Sequence, residues 1–108
     1  MPDSGDSDIS KWRRRIDDLD LELIRILNER AQSAIEIGKL KRLRNLAIYD
    51  PMREEEIVQM MLRHNQGPLD AQSVRRLFER IIDESRRIER ITAEKQHGND
   101  ELRMTNDE

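Results

Sequence analysis

The chain has 108 residues, of which 40% are charged and 35% hydrophobic, and its formal net charge is -3. This length accommodates one small domain, and a single Trp, a single Tyr and a single Phe argue against a β-sandwich or barrel, which favours aromatic residues. The absence of cysteine excludes disulfides and thiolate chemistry, and two histidines far apart in polar stretches argue against zinc, so we expect no metal site.

The charge is unevenly distributed along the chain. Residues 1–10 carry three acids and no base, and residues 94–108 carry five acids and two bases, which leaves a net +3 for residues 11–93. A cationic body predicts an anionic partner, but nucleic-acid binding usually requires more positive charge and stacking aromatics, so we expect no nucleic acid. The longest apolar run, residues 46–49, is too short for a transmembrane segment or a signal peptide, so we expect a cytoplasmic protein that binds no membrane.

The first predicted helix runs from about Ile9 or Ser10 to about Arg44, after a disordered lead-in at residues 1–8. Its apolar residues recur at spacings of three and four, interrupted at positions 30 and 33, which is typical of a heptad seam. They are Ile9, Trp12, Ile16, Leu19, Leu23, Ile26, Ile37 and Leu40. Such a helix is on the order of 50 Å long, whereas a compact domain of this size has a radius of gyration of about 13 Å. A second copy of the chain is the simplest cover for the seam, so we predict a homodimer.

Two shorter helices follow, and no segment is a strong candidate for a strand. Asp50 and Pro51 are a favourable N-cap and first residue for the second helix, which Gly67 and Pro68 end. The third helix begins at Asp70 as its N-cap and ends around residue 93, before a polar, disordered tail at residues 94–108. The inner-face residues are Ile57, Met60 and Met61 in the second helix, and Val74, Leu77, Phe78, Ile81, Ile82, Ser85 and Ile88 in the third. The sequence thus predicts an all-α fold of one long, one short and one medium helix, with residues 9–93 as its helical domain.

Polar residues occupy several positions where the helical pattern predicts apolar ones. Arg30 and Ser33 interrupt the seam of the first helix, and Lys41 lies about three turns after Arg30 on the same face. Two cations flanking small residues leave space for an anion, although Arg30 equally fits a rim or register-setting residue of the dimer seam. In the third helix, Ser85 lies on the inner stripe and Glu89 follows one turn later. A hydroxyl bonded to its own backbone and a glutamate at the solvent edge are the simpler interpretations. The two residues together, opposite a cationic pocket, also fit a role in binding.

The start of the second helix concentrates Asp50, Arg53 and Glu54. Capping accounts for Asp50 and the helix dipole for Glu54, but Arg53 is unfavourable near a helix N-terminus, so we expect it to meet an anion. The arginines of the third helix, Arg75 and Arg86 among them, interleave with acids. That alternation predicts a solvated face.

Five stretches in this order resemble the all-helical AroQ class of chorismate mutases, over roughly residues 9–92. They are Arg13-x-x-Ile16-x-x-Leu19-Asp20, Glu29-Arg30, Ile37-Gly38-Lys39-x-Lys41, Asp50-x-x-Arg53-Glu54 and Leu77-Phe78-x-x-Ile81-Ile82-x-x-Ser85-x-x-x-Glu89. No single stretch is specific, but their order and spacing together are. The resemblance implies an isomerase of phenylalanine and tyrosine biosynthesis, which converts chorismate to prephenate by an intramolecular Claisen rearrangement. It also implies an intertwined homodimer with shared active sites, in which the first helix spans both protomers.

The resemblance also implies a role for each matching residue. Arg30 and Arg13 would bind the substrate carboxylates, with Arg13 reaching in from the partner chain, and Lys41 would contact the ether oxygen and a carboxylate. Lys41, Glu89 and Arg30 would carry the catalysis. The rest of the implied pocket holds the substrate hydroxyl, completes the polar lining or contacts the ring, and consists of Asp50, Glu54, Arg53, Ser85, Ile37 and Ile82. Such a pericyclic step needs no nucleophile, metal or cofactor, and the sequence offers none.

Glu89 departs from those relatives that carry glutamine at this position. An ionised carboxylate only accepts hydrogen bonds, so Glu89 must be protonated to donate one to the ether oxygen. Desolvation favours the protonated form and nearby Lys41 the ionised form, and the sequence does not decide between them. We therefore expect turnover to fall as the pH rises through the titration of Glu89.

Two other interpretations fit parts of the sequence. A related lyase eliminates pyruvate from isochorismate on the same scaffold, although the combination of Asp50, Arg53 and Glu54 favours the mutase. A non-catalytic helical dimerisation module explains the heptad seam but leaves Arg30 and Lys41 unexplained. The charged tails could also dock another enzyme of the shikimate pathway, but nothing in them is specific for one.

Overall fold

A computed structural model describes the backbone of residues 4–106 and the side chains of residues 7–95. It contains three helices, α1 (Ser4–Leu43), α2 (Pro51–His64) and α3 (Ala71–Asn106). No strand occurs within residues 4–106, so the prediction of an all-α fold is confirmed. None of the described helices has a stretch both long and apolar enough to cross a membrane.

Two helix ends differ from the predictions. Helix α1 begins at Ser4 rather than at residue 9 or 10, and α3 continues to Asn106 instead of ending around residue 93. Neither added segment contains proline, and Gly98 is the strongest helix breaker in the second, so nothing in the chain forces an earlier end. The remaining parts of the predicted tails, residues 1–3 and 107–108, lie outside the described residues. The division into a helical domain of residues 9–93 and two tails stays a prediction.

The predicted helix starts are confirmed by hydrogen bonds to their caps. Asp50 caps α2 by accepting from the backbone N–H of Arg53 at 3.1 Å, and Pro51 occupies the first helical position. Asp70 caps α3 by accepting from the N–H of Ser73 at 2.7 Å. An N-cap oxygen satisfies one of the backbone donors that a helix start leaves unpaired. The sequence therefore fixes where α2 and α3 begin.

The chain forms two units, the first of which extends to Gln32. Within its described part this unit contains a single element, the part of α1 up to Gln32. The stripe predicted as a heptad seam is exposed there, with exposed fractions between 43% and 64%. Its members in this unit are Ile9, Trp12, Ile16, Leu19, Leu23 and Ile26, and we call them the α1 stripe.

The second unit begins at Ser33 and contains the end of α1 together with α2 and α3. Helix α2 packs against α3. The buried apolar side chains of this unit are Ala34, Val58, Val74 and Ile82. Val58 is the buried residue of α2, whereas the predicted inner-face residues Ile57, Met60 and Met61 are half-buried, so the face of α2 is rotated from the predicted one.

Candidate functional site

Gly38 lies at a close approach of α1 to α3 in the second unit. A Cβ atom at Gly38 would lie 3.1 Å from both the Cα and the carbonyl oxygen of Glu89. Such a distance is well inside ordinary van der Waals contact, and the opposing atoms are backbone, which yields little. Glycine therefore allows α1 to come close enough to α3 for side chains one turn away to meet.

Lys41 and Glu89 meet at this crossing. The Nζ atom of Lys41 lies 3.1 Å from Oε2 of Glu89, and the two side chains are only 18% and 11% exposed. Lys41 also donates to the carbonyl oxygen of Ile48, at 3.0 Å, in the segment between α1 and α2. The simpler interpretation of Glu89, as a glutamate at the solvent edge, is wrong, because Glu89 is buried. A buried carboxylate without its cation costs several kcal/mol, so the pair is interdependent.

Glu54 and Arg86 form a second ion pair, between α2 and α3. Arg86 donates from Nε to Oε2 of Glu54 at 3.0 Å and from Nη2 to Oε1 at 2.9 Å, which is a two-pronged pairing. Its guanidinium also donates to Asp83 at 3.0 Å and lies 5.1 Å from the centre of the Tyr49 ring. The hydrogen bonds to Glu54 raise the pKa of Arg86 above its usual value, against the opposing effect of burial.

The prediction that Arg86 belongs to a solvated face is therefore wrong. Its side chain is part-buried and paired across the helix interface. The charge pattern of α3 does not separate Arg86 from its neighbours, because each arginine has an acid nearby in the sequence. A signal was available, because Arg86 lies four residues after Ile82 of the predicted inner stripe and residues four apart share a helix face.

A groove of about 340 Å³ lies between α2 and α3 beside this pair. Two predicted site residues, Glu54 and Ile82, line it, together with Tyr49, Val58 and Arg86. The groove therefore has an apolar floor and a charged wall, a composition suited to a small polar ligand with a carbon skeleton.

The structure places the other predicted residues of the second unit individually. Ser85 donates its hydroxyl to the carbonyl oxygen of Ile81 at 3.0 Å, which agrees with the simpler interpretation of that residue. Ile82 is buried, whereas Ile37 is 47% exposed. Asp50 is an exposed cap. Arg53 lies on a different face of α2, beside Met52 and Met60, so the structure does not bring it to the Glu54–Arg86 pair.

Arg13 and Arg30 belong to the first unit and are described within it. Arg13 is exposed and Arg30 is half-buried on α1. Their predicted roles toward substrate carboxylates stay predictions.

The site offers cations, hydrogen-bond donors and one buried carboxyl group, but no obvious nucleophile. In the part of the chain that the structure describes, no three His, Asp or Glu side chains are placed to hold a metal ion. Such an arrangement can bind and orient an anion, and it can place donors at an atom that gains negative charge.

Known proteins are similar to this chain over most of its length. The family model for chorismate mutase type II matches residues 12–90. A bifunctional chorismate mutase/prephenate dehydratase from Neisseria gonorrhoeae is 44% identical over 78 residues, covering 72% of this chain and 21% of that protein. The corresponding protein from Aquifex aeolicus is 45% identical over 58 residues, covering 54% of this chain and 16% of that protein. This chain thus spans about a fifth of the length of the curated relatives it matches.

Solved structures agree with the sequence relatives. Form II of chorismate mutase from Thermus thermophilus superposes with a TM-score of 0.75 at 35% identity, covering 76% of this chain and 93% of that one. Form I superposes with a TM-score of 0.70 at 36% identity, covering 71% and 96%. These similarities do not favour the lyase interpretation, and the five stretches that carried the resemblance all lie within the residues matched by the family model. The chain belongs to the chorismate mutase type II family.

Proposed function

We propose that this chain is a chorismate mutase that rearranges chorismate to prephenate. In this step the bond between the ring carbon and the ether oxygen breaks while a carbon–carbon bond forms, so all atoms stay in one molecule. The reaction needs a folded substrate conformation and stabilisation of the charge that develops on the ether oxygen. The observation that carries the proposal is the part-buried pair of Lys41 and Glu89, whose Nζ and Oε2 atoms lie 3.1 Å apart.

Lys41 is suited to contact the ether oxygen. An ammonium group has three donors, and Lys41 uses two of them for Glu89 and the carbonyl of Ile48. One donor is left for a ligand, and the other two hold the group in place before the substrate arrives. A donor fixed in advance costs no reorganisation when charge develops, and its effect is commonly worth a few kcal/mol.

Glu89 contributes as a donor in its protonated form. One oxygen of the carboxyl group would carry the proton and donate to the ether oxygen, while the other still accepts from Lys41. A carboxylate would instead repel the developing negative charge. The proposal therefore includes a dependence of activity on the protonation of Glu89.

The remaining polar residues bind the ends of the substrate. Arg30 and Arg13 of the partner subunit bind the two carboxylates, for which the forked guanidinium is well matched. Glu54 accepts a hydrogen bond from the substrate hydroxyl, and the backbone at Asp50 assists it. The other contacts come from Arg53, Ser85, Ile37 and Ile82.

The homodimer is part of the same proposal. The α1 stripe consists of large apolar side chains that are 43% to 64% exposed, and its spacing is that of a helix seam. A second copy presents the same stripe and buries both, at about 25 cal/mol for each Å² removed from water. Contact along α1 also brings Arg13 of one copy toward the site of the other.

The partner enzyme and the cellular location of this chain stay predictions. The matched relatives are fused to a prephenate dehydratase, which is consistent with docking to an enzyme that consumes prephenate. Nothing in the described residues singles out a surface for it. The cytoplasmic location rests on the sequence alone.

The test is to incubate the purified chain with chorismate and to follow the loss of its absorbance, with prephenate identified as the product. Parallel incubation with isochorismate separates the mutase from the lyase, which would release pyruvate. A chain that is folded and dimeric but consumes neither compound would leave only the dimerisation-module interpretation.

A further inference from the structure

The ion pair of Glu54 and Arg86 holds a carboxylate in a fixed orientation. Both oxygens of Glu54 accept from one guanidinium, at 3.0 Å to Nε and 2.9 Å to Nη2. Two parallel hydrogen bonds fix the plane of the carboxylate, which a single contact leaves free to rotate. Glu54 lies in the first turn of α2, so a change in its rotamer would move its oxygens within the groove.

Arg86 is itself held from two other sides. Asp83, one turn earlier on α3, accepts from Nη2 at 3.0 Å, and the Tyr49 ring lies 5.1 Å from the guanidinium carbon. A cation over an aromatic face gains a further attraction. An arginine keeps its charge throughout the pH range in which enzymes work, and the hydrogen bonds to Glu54 raise the pKa of Arg86 further. The guanidinium is therefore a rigid and permanent partner for Glu54.

The pairing leaves Glu54 able to bind a ligand. An ionised carboxylate has about four acceptor positions, and Arg86 occupies two of them. The Glu54 side chain retains 23% exposure on the wall of the groove. A hydroxyl donor from a ligand can therefore reach it without displacing Arg86.

A second arginine–glutamate pair joins the same two helices and lines the same groove, but its contacts are longer and its side chains more exposed. Arg75 lies 3.3 Å from Oε1 and 3.5 Å from Oε2 of Glu55, and the two side chains are 38% and 57% exposed. Its longer and more exposed contacts are those of an ordinary surface pair, worth little for stability. Arg75 and Arg86 therefore both link α2 to α3, but it is Arg86 that orients the Glu54 carboxylate.

We propose that Arg86 is a positioning residue, which holds the Glu54 carboxylate in the orientation from which it accepts the hydrogen bond of the substrate hydroxyl. This inference rests on the proposed function, because it takes Glu54 to bind that hydroxyl. Arg86 acts through Glu54 and need not touch the substrate.

The experiment compares Arg86→Met and Arg86→Lys with Arg75→Met by steady-state kinetics on chorismate, each alone and each combined with Glu54→Ala. We expect Arg86→Met to lower kcat/KM by roughly tenfold to a hundredfold, because small misplacements of a substrate-positioning group have effects of that size. Arg86→Lys restores part of the loss, since lysine keeps the charge but not the fork. Arg75→Met causes a smaller loss than Arg86→Met, because Arg75 lines the same groove but pairs with Glu55 rather than with Glu54.

The combination with Glu54→Ala distinguishes the positioning of the Glu54 carboxylate from a general role of Arg86 in linking α2 to α3. A residue that acts only through Glu54 has no further effect once Glu54 is gone, so we expect Arg86→Met to change kcat/KM by less than about threefold in that background. Equal losses from Arg75→Met and Arg86→Met would overturn the inference, as would a loss from Arg86→Met that persists without Glu54. If Arg86→Met fails to fold, Arg86→Lys in the two backgrounds decides the question. A wild-type chain without activity on chorismate refutes the proposed function as well, whereas an active wild type with unaffected Arg86 variants refutes this inference alone.

Discussion

Lys41 and Glu89 form an ion pair between α1 and α3 in which the Lys41 Nζ is 3.1 Å from the Glu89 Oε2, and less than a fifth of either side chain is exposed. The pair exists because Gly38, nearly one turn before Lys41, lets the two helix backbones come together. This contact between residues 48 positions apart in the chain thus lies beside a close approach that a side chain at position 38 would obstruct.

The Lys41 ammonium is expected to carry much of the transition-state stabilisation. We predict that Lys41→Met lowers kcat/KM by about a hundredfold to a thousandfold, a loss typical for the removal of one preorganised donor at a developing oxyanion. The matched control is Lys39→Met, because Lys39 is exposed and makes a 3.5 Å pair with Glu36. Equal activities of the two variants in a chorismate assay would contradict the role of Lys41.

The protonation of Glu89 is expected to shape the pH dependence. The protonated form is the donor, so its fraction and the wild-type kcat/KM both fall as the pH rises, whereas the amide of Glu89→Gln donates at every pH. We predict a flatter profile for Glu89→Gln. Glu84→Gln serves as the control, because Glu84 pairs with Arg80 at the surface and should leave the wild-type profile in place. Superimposable profiles of wild type and Glu89→Gln would contradict the prediction.

Gly38 offers a test whose sign is informative. In an ordinary helix interior Gly→Ala stabilises by about 1 kcal/mol. At Gly38 the new Cβ would meet Glu89 backbone atoms at 3.1 Å, and overpacking of this kind typically costs about 1–3 kcal/mol. We therefore predict that Gly38→Ala lowers both the Tm and kcat/KM, since separating the helices also separates Lys41 from Glu89. A raised Tm with an unchanged kcat/KM would contradict this prediction, because it would show that a Cβ atom fits between α1 and α3 at position 38.

The α1 stripe is expected to form the dimer interface. Leu19→Glu places a charge in the stripe, which an apolar seam cannot accommodate, so we predict a monomer by size-exclusion chromatography with light scattering. Activity should fall with the dimer, because Arg13 of the partner subunit is then missing from the site. Leu21→Glu is the control, since Leu21 is 69% exposed on the opposite side of the helix. A monomeric wild type, or a dimeric and fully active Leu19→Glu, would refute the seam.

Asp70 provides a stability test independent of the site. The N–H of Ser73, which donates to this cap, holds the pKa of the Asp70 carboxyl below its ordinary value of 3.8. A lowered pKa in the folded state means that the cap contributes stability above about pH 3.8 and loses it as the pH falls through the lower folded value. We predict that Asp70→Ala lowers the Tm at neutral pH and that the difference narrows on acidification. Asp70→Asn, which retains a capping oxygen, should keep most of the Tm. A Tm difference between the wild type and Asp70→Ala that does not change with pH would contradict the role of the ionised Asp70 carboxyl as the cap.

Local chemistry allowed much of this protein to be predicted. Asp50, Pro51 and Asp70 mark the starts of α2 and α3, because a cap acts on backbone donors within a few residues of itself. The apolar stripe of α1 could also be predicted from the sequence, because helical periodicity places residues three and four apart on one face.

Contacts between helices were decided only by the tertiary structure. The buried face of α2 centres on Val58 because helix rotation depends on how α2 meets α3, and the partner of Arg86 is Glu54 rather than one of the acids near it in the chain. A charge pattern in the sequence shows which charged residues are close along one helix. The partner of a residue in an ion pair depends instead on which side chains the helix packing brings within reach. For the same reason, the sequence placed Lys41 and Glu89 in one site, but only the packing of α1 against α3 near Gly38 shows that the two side chains form a pair.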